Sequence, residues 1–542
     1  MKIYQSLAKG LALCILPAAL LAGCSSDASY DTEVSEMEEV SAHTETSGNG
    51  EISGDASETA VDGEGAQDAQ AVDVSVSADT SEMFTERDLN ASYDESTAAR
   101  ITLDPSGSSC DSDAIVIGEN TVTITDEGTY ILSGTLDAGM VIVDARDSDK
   151  VWLVLDQVSI SNDTSAALYV READKVVITL AEGSENSLYT QGNYEAIDDN
   201  NIDSAVFSKA DLTINGSGTL NVTAEIGHGI VSKDDLVITG GTLTISSANH
   251  GLSANDSVRI TNGALTIISG KDGIQAENTE DASLGFVYIQ SGTFQITSGD
   301  DGAHGDDALS ISGGELTITE SYEGLEGLSI TISGGTIDIV SSDDGLNAAG
   351  GNDESGFMAG PGRPDDFASE DTESMFIEIS GGTLYVNASG DGMDSNGSIR
   401  VSGGAVYISG PTDGANGALD YASSVTMTGG TLIAAGSSGM AESFSDASTQ
   451  GVIMVNVDSQ ETDSLIQLSD ADGNLLLSWT APKGFSNVVV SCPDIIQGNT
   501  YTLDAGSSQT SITMDSLVYN GGSGMGSSMP QDAGNMPGGR RR

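Results

Sequence analysis

From about residue 100 the chain is written in short triplets that run apolar, variable, apolar. Leu236 and Ile238, Leu243 and Ile245, Val258 and Ile260, Leu265 and Ile267, Val287 and Ile289, and Phe294 and Ile296 each frame one residue. The series continues through Leu309 and Ile311, Leu316 and Ile318, Ile330 and Ile332, Ile337 and Ile339, Ile377 and Ile379, and Leu384 and Val386. A period of two marks a β-strand, so each triplet predicts a strand with its apolar pair inward and its middle residue outward. The triplets come in pairs joined by a glycine turn, with turn glycines at 241, 263, 292, 314, 335, 382, 404 and 430. A second glycine, mostly preceded by an acid, falls at 229, 251, 273, 302, 324, 345, 392 and 414. Most steps are 21 or 22 residues. Such a period marks a solenoid, whose units bury their apolar faces only by stacking. With two or three strands per coil and no helical segments, the predicted fold is all-β. It is a right-handed parallel β-helix of about 22 residues per coil, the coils spaced roughly 4.8 Å apart. A propeller would repeat at about 40 residues and fits poorly.

The pattern also sets boundaries. Residues 97–440 are assigned to the β-helix and 350–374 to a loop insertion, because the step from Gly335 to Gly382 is about twice the usual one. Past Gly439 the repeat stops, and the apolar runs in 441–520 predict a β cap over the last coil, whose open edge would otherwise invite aggregation. Residues 521–542 are expected to be a disordered tail. At the other end, Lys2 and Lys9 precede the apolar stretch from Leu11 to Leu21, and Leu-Ala-Gly-Cys closes at Cys24. This reads as a lipoprotein signal peptide over 1–23, with Cys24 the lipidation site and the membrane met through that lipid alone. The expected location is the cell membrane, lipid-anchored on the extracellular face. Residues 24–96, rich in Ser, Ala, Gly, Asp and Glu, predict a disordered acidic linker.

Charge narrows the partners. With 83 acidic against 18 basic residues the formal charge is −65. Such a surface repels nucleic acid and anionic lipid, so no nucleic-acid partner is expected. Cations, or polymers bridged through them, are the natural partners. Cys110 and Cys492 lie near opposite ends of the predicted solenoid and are expected to be unpaired thiols, and the protein to be a monomer.

The acids before the second glycines are Asp272, Asp301, Glu323, Asp344, Asp391 and Asp413, and three residues later stand Gln275, His304, Glu326, Asn347, Asp394 and Asn416. Stacking aligns these into two rows along one edge. Adjacent carboxylates at coil spacing repel by about 1 kcal/mol in water and about 3.5 kcal/mol at an effective dielectric of 20. Such a row calls for protonation or a cation, and Ca2+ takes oxygen ligands at about 2.3–2.6 Å. Turn chemistry is the plainer account of any single Asp-Gly corner, since Asp bonds nearby amides and Gly tolerates positive φ. Histidine is sparse (His228, His250, His304) and no Cys is near, which argues against zinc or copper.

Several stretches resemble signature segments of the bacterial β-helix carbohydrate-binding family, which includes clostridial proteins binding cellulose and acidic sugars. These are residues 158–170 (VSISNDTSAALYV), 175–180 (KVVITL), 227–245 (GHGIVSKDDLVITGGTLTI), 320–350 (ESYEGLEGLSITISGGTIDIVSSDDGLNAAG) and 491–503. The resemblance implies a pectate-lyase-like β-helix that binds Ca2+ and, at the cell surface, cellulose or polygalacturonate-like polysaccharide. It places the acidic metal positions on Asp301, Glu323, Glu326, Asp344, Asn347, Asp391 and Asp394. Tyr322, Tyr385, Tyr407 and Tyr421 are candidates for stacking on sugar rings. A non-catalytic binder is the first expectation. A polysaccharide lyase is the rival; it needs a base beside the calcium, and between Asp272 and Asp413 only Arg363 and Arg400 are basic. A glycoside hydrolase using paired carboxylates and a surface adhesin or spacer complete the alternatives.

Overall fold

A computed structural model describes residues 83–349 and 373–521. The signal segment, Cys24, most of the acidic linker, nearly all of the insertion and the C-terminal tail lie outside the described residues. Its regular secondary structure is nearly all β, with almost no helix and a parallel β-solenoid of about 11 turns.

Each regular coil contributes to three parallel ladders. The first collects the strands that follow the glycine turns, such as Thr242–Ser247, Gly263–Ser269, Thr336–Ser341 and Thr383–Ala388, with Leu243 against Leu265 and Ile337 against Leu384. The second collects the strands that precede those turns, among them Asp235–Ile238, Ser257–Ile260 and Phe376–Ile379. The third is made of short strands directly after the acidic corners, including Leu252–Ala254, Ile274–Ala276, Leu346–Ala348 and Met393–Ser395. In two coils Ala303–Ile311 and Leu325–Ile332 run through both second and third ladders. The apolar members of the triplets fill the interior: Leu243, Ile245, Ile337 and Ile339 are buried, each stacked on its counterpart one turn away.

The two glycine series answer different needs. Turn glycine Gly335 has φ +90, a conformation that costs other residues. Corner glycine Gly324 is required by proximity, because a Cβ there would lie 2.3 Å from the Gly345 carbonyl. The C-terminal cap closes the stack: Thr431–Gly436 pairs antiparallel with Asn487–Ser491, which pairs with Val452–Asn456. A separate four-stranded antiparallel sheet of Ser464–Asp470, Leu475–Ala481, Thr500–Ala505 and Ser508–Thr513 packs beside it. Cys110 and Cys492 are free thiols.

The linker boundary near residue 96 is displaced. Order is present from Met83, and residues 83–98 lie as a strap along the outer face of the second ladder. Composition pointed to disorder because the strap is held mostly by polar anchors. Asp88 is buried, its Oδ1 2.7 Å from Lys175 Nζ and accepting from Thr213 Oγ1 at 2.6 Å. Asn215 Nδ2 and Thr239 Oγ1 donate to the Asp88 carbonyl, and Arg259 donates to the Met83 carbonyl. Phe84 packs against Tyr288, and at the other end Tyr93 and Ala98 pack on Ile131, Val154 and Ala181. Thr213, Val237 and Tyr288, which point outward from their ladder, are thereby covered.

Candidate functional site

The corner between the first and third ladders is built by backbone bonds that repeat from turn to turn. Gly273 N–H donates to the Asp301 carbonyl, Gly302 to Glu323, Gly324 to Asp344, and Gly345 to Asp391. These bonds put His250, Asp272, Asp301, Glu323, Asp344 and Asp391 in one row. In the third ladder Gln275, His304, Glu326, Asn347 and Asp394 stand in register beside them. The row departs from the glycine count at its end. Gly392 N–H donates to Gly417, and Asp394 pairs with Asp420, so Asp413 and Asn416 fall outside both rows. The step from Gly392 to the next corner is longer than 22 residues, which the regular count missed.

Turn chemistry operates here between coils. Asp272 Oδ1 accepts from Asp301 N–H, Asp301 Oδ1 from Glu323 N–H, Asp344 Oδ1 from Asp391 N–H, and Asp391 Oδ1 from Gly417 N–H. That leaves a second oxygen on each carboxylate. The seven residues expected to face a cation then divide into three groups. Asp301 and Glu326 join His304, their ligand atoms all within 4.8 Å of one another. Asp344, Asp391 and Asp394 form a second such group, composed of carboxylates alone. Between them Glu323 Oε2 accepts from Asn347 Nδ2 at 2.8 Å, while Asn347 Oδ1 is buried and has no hydrogen-bond partner.

The second group carries more charge than its surroundings compensate. Burial, then repulsion from Asp391 and Asp394, raises Asp344 to about 8. Burial, then Asp391 and Asp420, raises Asp394 to about 7, and Asp391 is raised chiefly by burial to about 6. Glu323 is pushed up to about 10 by burial and by Glu326 and Asp301. No ion pair with Lys or Arg reaches these four carboxylates among the described residues. Glu442 adds to this concentration of acid: burial, then Asp420 and Asp391, raises it to about 7, and its Oε2 is buried without a partner. Neither Glu442 nor Asp420 was visible in the sequence pattern, because both lie past the point where the 22-residue count fails.

A family profile described as carbohydrate-binding domain-containing protein matches residues 118–358. A relative from Acetivibrio thermocellus with that same description is 43% identical over 224 residues, which cover 41% of this chain and 78% of the relative. The chain belongs to this carbohydrate-binding domain family. A solved structure of a polysaccharide lyase-like protein from C. thermocellum, a gadolinium derivative, is 35% identical; the match covers 46% of this chain and 96% of that one, with a TM-score of 0.39. Asp301, His304, Glu323 and Glu326 fall within the matched family stretch, and Asp391 and Asp394 beyond it.

For a carbohydrate-binding domain the aromatic side chains matter as much as the acids, and the structure separates the four tyrosines. Tyr385 and Tyr407 stand on adjacent turns of the first ladder, rings stacked at 5.0 Å and 12°. Tyr407 meets Trp479 of the cap on a further side, at 5.8 Å and 39°. Tyr385 is the more exposed of the pair at 38%. Tyr421 is half-buried in the third ladder with its hydroxyl donating to the Ser443 carbonyl, and Tyr322 sits in the turn before Glu323. Trp479 is an aromatic the repeat could not have brought forward, since it belongs to the cap. Two shallow clefts of about 330 and 400 Å³ lie around Tyr501 and Ile495, and neither contains a corner residue.

Proposed function

We propose that this family member is a calcium-dependent, non-catalytic polysaccharide-binding lipoprotein, anchored through Cys24 on the outer face of the cell membrane and acting as a monomer. The observation that carries the reading is the group of Asp344, Asp391 and Asp394, whose oxygens lie within 4.8 Å of one another. Beside it the buried Asn347 Oδ1, in register with Asp394, has no partner. Three carboxylates and an amide oxygen fit the all-oxygen preference of Ca2+ and offset its charge. Bound there, the ion would supply a Lewis-acidic contact for uronate carboxylates, which favours a polygalacturonate-like polymer. Cellulose has no carboxylate, and its contact would be stacking on Tyr385.

Among the described residues no Lys or Arg forms an ion pair with Asp344, Asp391 or Asp394, which favours a binder over a lyase. Lys483 of the cap donates to the Ala388 carbonyl and is lowered by burial to about 8, so it is the base on which the lyase alternative would rest. The test is retention of the full chain on polygalacturonate and on cellulose, with calcium and with chelator, while the eluate is watched for unsaturated-product absorbance. Calcium-dependent retention without product is expected. Tyr385→Ala should weaken retention about tenfold, the size of one lost ring-stacking contact. Product formation would replace the binder with a lyase, and absence of retention on both polymers would replace it with a surface spacer.

A further inference from the structure

We propose that the outer face of the first ladder is a calcium-independent docking surface for an uncharged polysaccharide, so that one molecule holds a neutral polymer there and an acidic one at the corner. The first half stands on the geometry of the ladder and on membership of a carbohydrate-binding family; the second rests on the calcium reading of the corner. Thr219–Ala224, Thr242–Ser247, Gly263–Ser269 and Gly292–Ser298 are neighbouring strands of this ladder, and none contains a charged residue. The chain as a whole has 83 acidic residues and a formal charge of −65. An uncharged strip on such a molecule is a local departure from its surface.

Asn221, Thr244, Thr266 and Gln295 stand in register along the middle of the strip, one per turn, at roughly 4.8 Å. Continued through Thr317 and Asp338, the same row reaches Tyr385. At the edge of the strip Thr297 and Thr319 are hydrogen-bonded, hydroxyl to hydroxyl, at 2.8 Å. The other faces of these turns are treated differently. The second ladder lies under the strap at Thr213, Val237 and Tyr288, and the third carries Phe207 and Val231 in an outer cluster with Ile202. The first ladder leaves Asn221, Thr244 and Gln295 exposed, with Ile268 54% exposed beside them.

The chemistry of the strip matches a sugar ring, which presents C–H faces rimmed by hydroxyls. Threonine offers the same pair, a methyl for apolar contact and a hydroxyl that donates and accepts, and Asn221 and Gln295 add amides that do both. β-Branched side chains are stiff at χ1, so a threonine surface loses little rotamer freedom on docking. No carboxylate has to give up its water when an uncharged polymer covers these strands. A polyuronate gains nothing there, because the strip offers no cation and borders a row of acids. Strand preference alone also favours Thr on an exposed sheet, and that account predicts no binding.

The experiment uses the full chain, with microcrystalline cellulose as the uncharged polymer and soluble polygalacturonate as the acidic one. Cellulose should retain the protein in chelator and in high salt, where ionic contacts are screened. Thr244→Glu combined with Thr266→Glu should weaken that retention by about tenfold or more, because two carboxylates would lose water on docking, while polygalacturonate binding in calcium is unchanged. Thr244→Ser combined with Thr266→Ser keeps the hydroxyls and should keep most of the retention. Asp391→Asn should do the reverse of the Glu pair, lowering polygalacturonate binding alone. With calcium present, cellulose-bound protein should capture polygalacturonate from solution. The proposal is overturned if retention in chelator is absent, if the Glu pair is retained as well as the parent, or if polygalacturonate releases the protein from cellulose. It is also overturned if the Glu pair converts a sedimenting dimer into a monomer, which would make the strip a contact between copies. Should the pair fail to fold, Gln295→Glu at its exposed position carries the same test. Lost polygalacturonate capture, with cellulose retention still sensitive to the Glu pair, would instead sink the calcium reading and leave the docking surface standing.

Discussion

Two regions of this molecule bury acids, and they treat them in opposite ways. Under the strap Asp88 is opposed by burial, yet hydrogen bonds from Lys175, Thr213 and Thr85 outweigh that cost and hold it at about 2. At the corner, half-buried Asp344 and buried Glu323 meet further acids, so they rise to about 8 and about 10. Both arrangements cost desolvation. Only the first recovers it inside the chain. A buried acid with its partners supplied is a fastening, whereas a set of acids without them is left to protonation or, in our proposal, to a cation.

The largest effect that would break this comparison is at the strap. Asp88→Ala leaves buried Lys175 with only the longer 3.8 Å contact to Asp211 and should cost about 3 kcal/mol in urea unfolding, with calcium binding by the folded protein unchanged. A loss below about 1 kcal/mol would show the strap to be incidental. Next, Asp391→Asn keeps an oxygen for the Gly417 amide but removes a charge. It should lower calcium affinity on the order of 100-fold, since ligand charge sets affinity in such sites. In chelator the same variant should be more stable than the parent, the opposite sign from Asp88→Ala.

The pH response should also differ in sign between the regions. Asp344 and Glu323 hold protons more tightly folded than unfolded, so their stabilisation is complete below the unfolded carboxylate range near 4. It is lost as pH rises through about 8 and about 10. Asp88 contributes above that range and loses its contribution as pH falls through about 2. In chelator the melting temperature should therefore fall between about pH 5 and pH 8, and calcium should flatten the fall. A flat profile in chelator would mean the corner is solvated. The smallest effect is expected for Glu323→Gln, which keeps an acceptor for Asn347 and should change chelated stability by less than about 0.5 kcal/mol, because the acid is already neutral.

The solenoid was legible because stacking repeats nearly the same spacing over most coils, and the triplets at Leu243 and Ile337 report it directly. The third ladder was less visible. Several of its strands are three residues long and end in Ala or Ser, as in Leu346–Ala348 and Met393–Ser395, so they lack the second large apolar residue. The acidic row was legible as a row, but its division was not. His304 was discounted for belonging to a scarce residue type, while its place among Asp301, Asp306 and Glu326 depends on a bulge that only the fold exposes. Asp420 and Glu442 were hidden by one long step and by the end of the repeat. The strap was missed because its anchors are polar partners more than 100 residues away, as between Asp88 and Thr213.

That strap also decides how the molecule would carry load. The described chain begins at Met83, beside Arg259 and Tyr288, and only reaches the first coils after running lengthwise past Lys175. Tension on the chain upstream is therefore received partway along the solenoid and spread over several bonds in shear. Leverage on the opening coil is reduced, so a pull that would peel strands from an ordinary solenoid end meets Asp88 and its partners first.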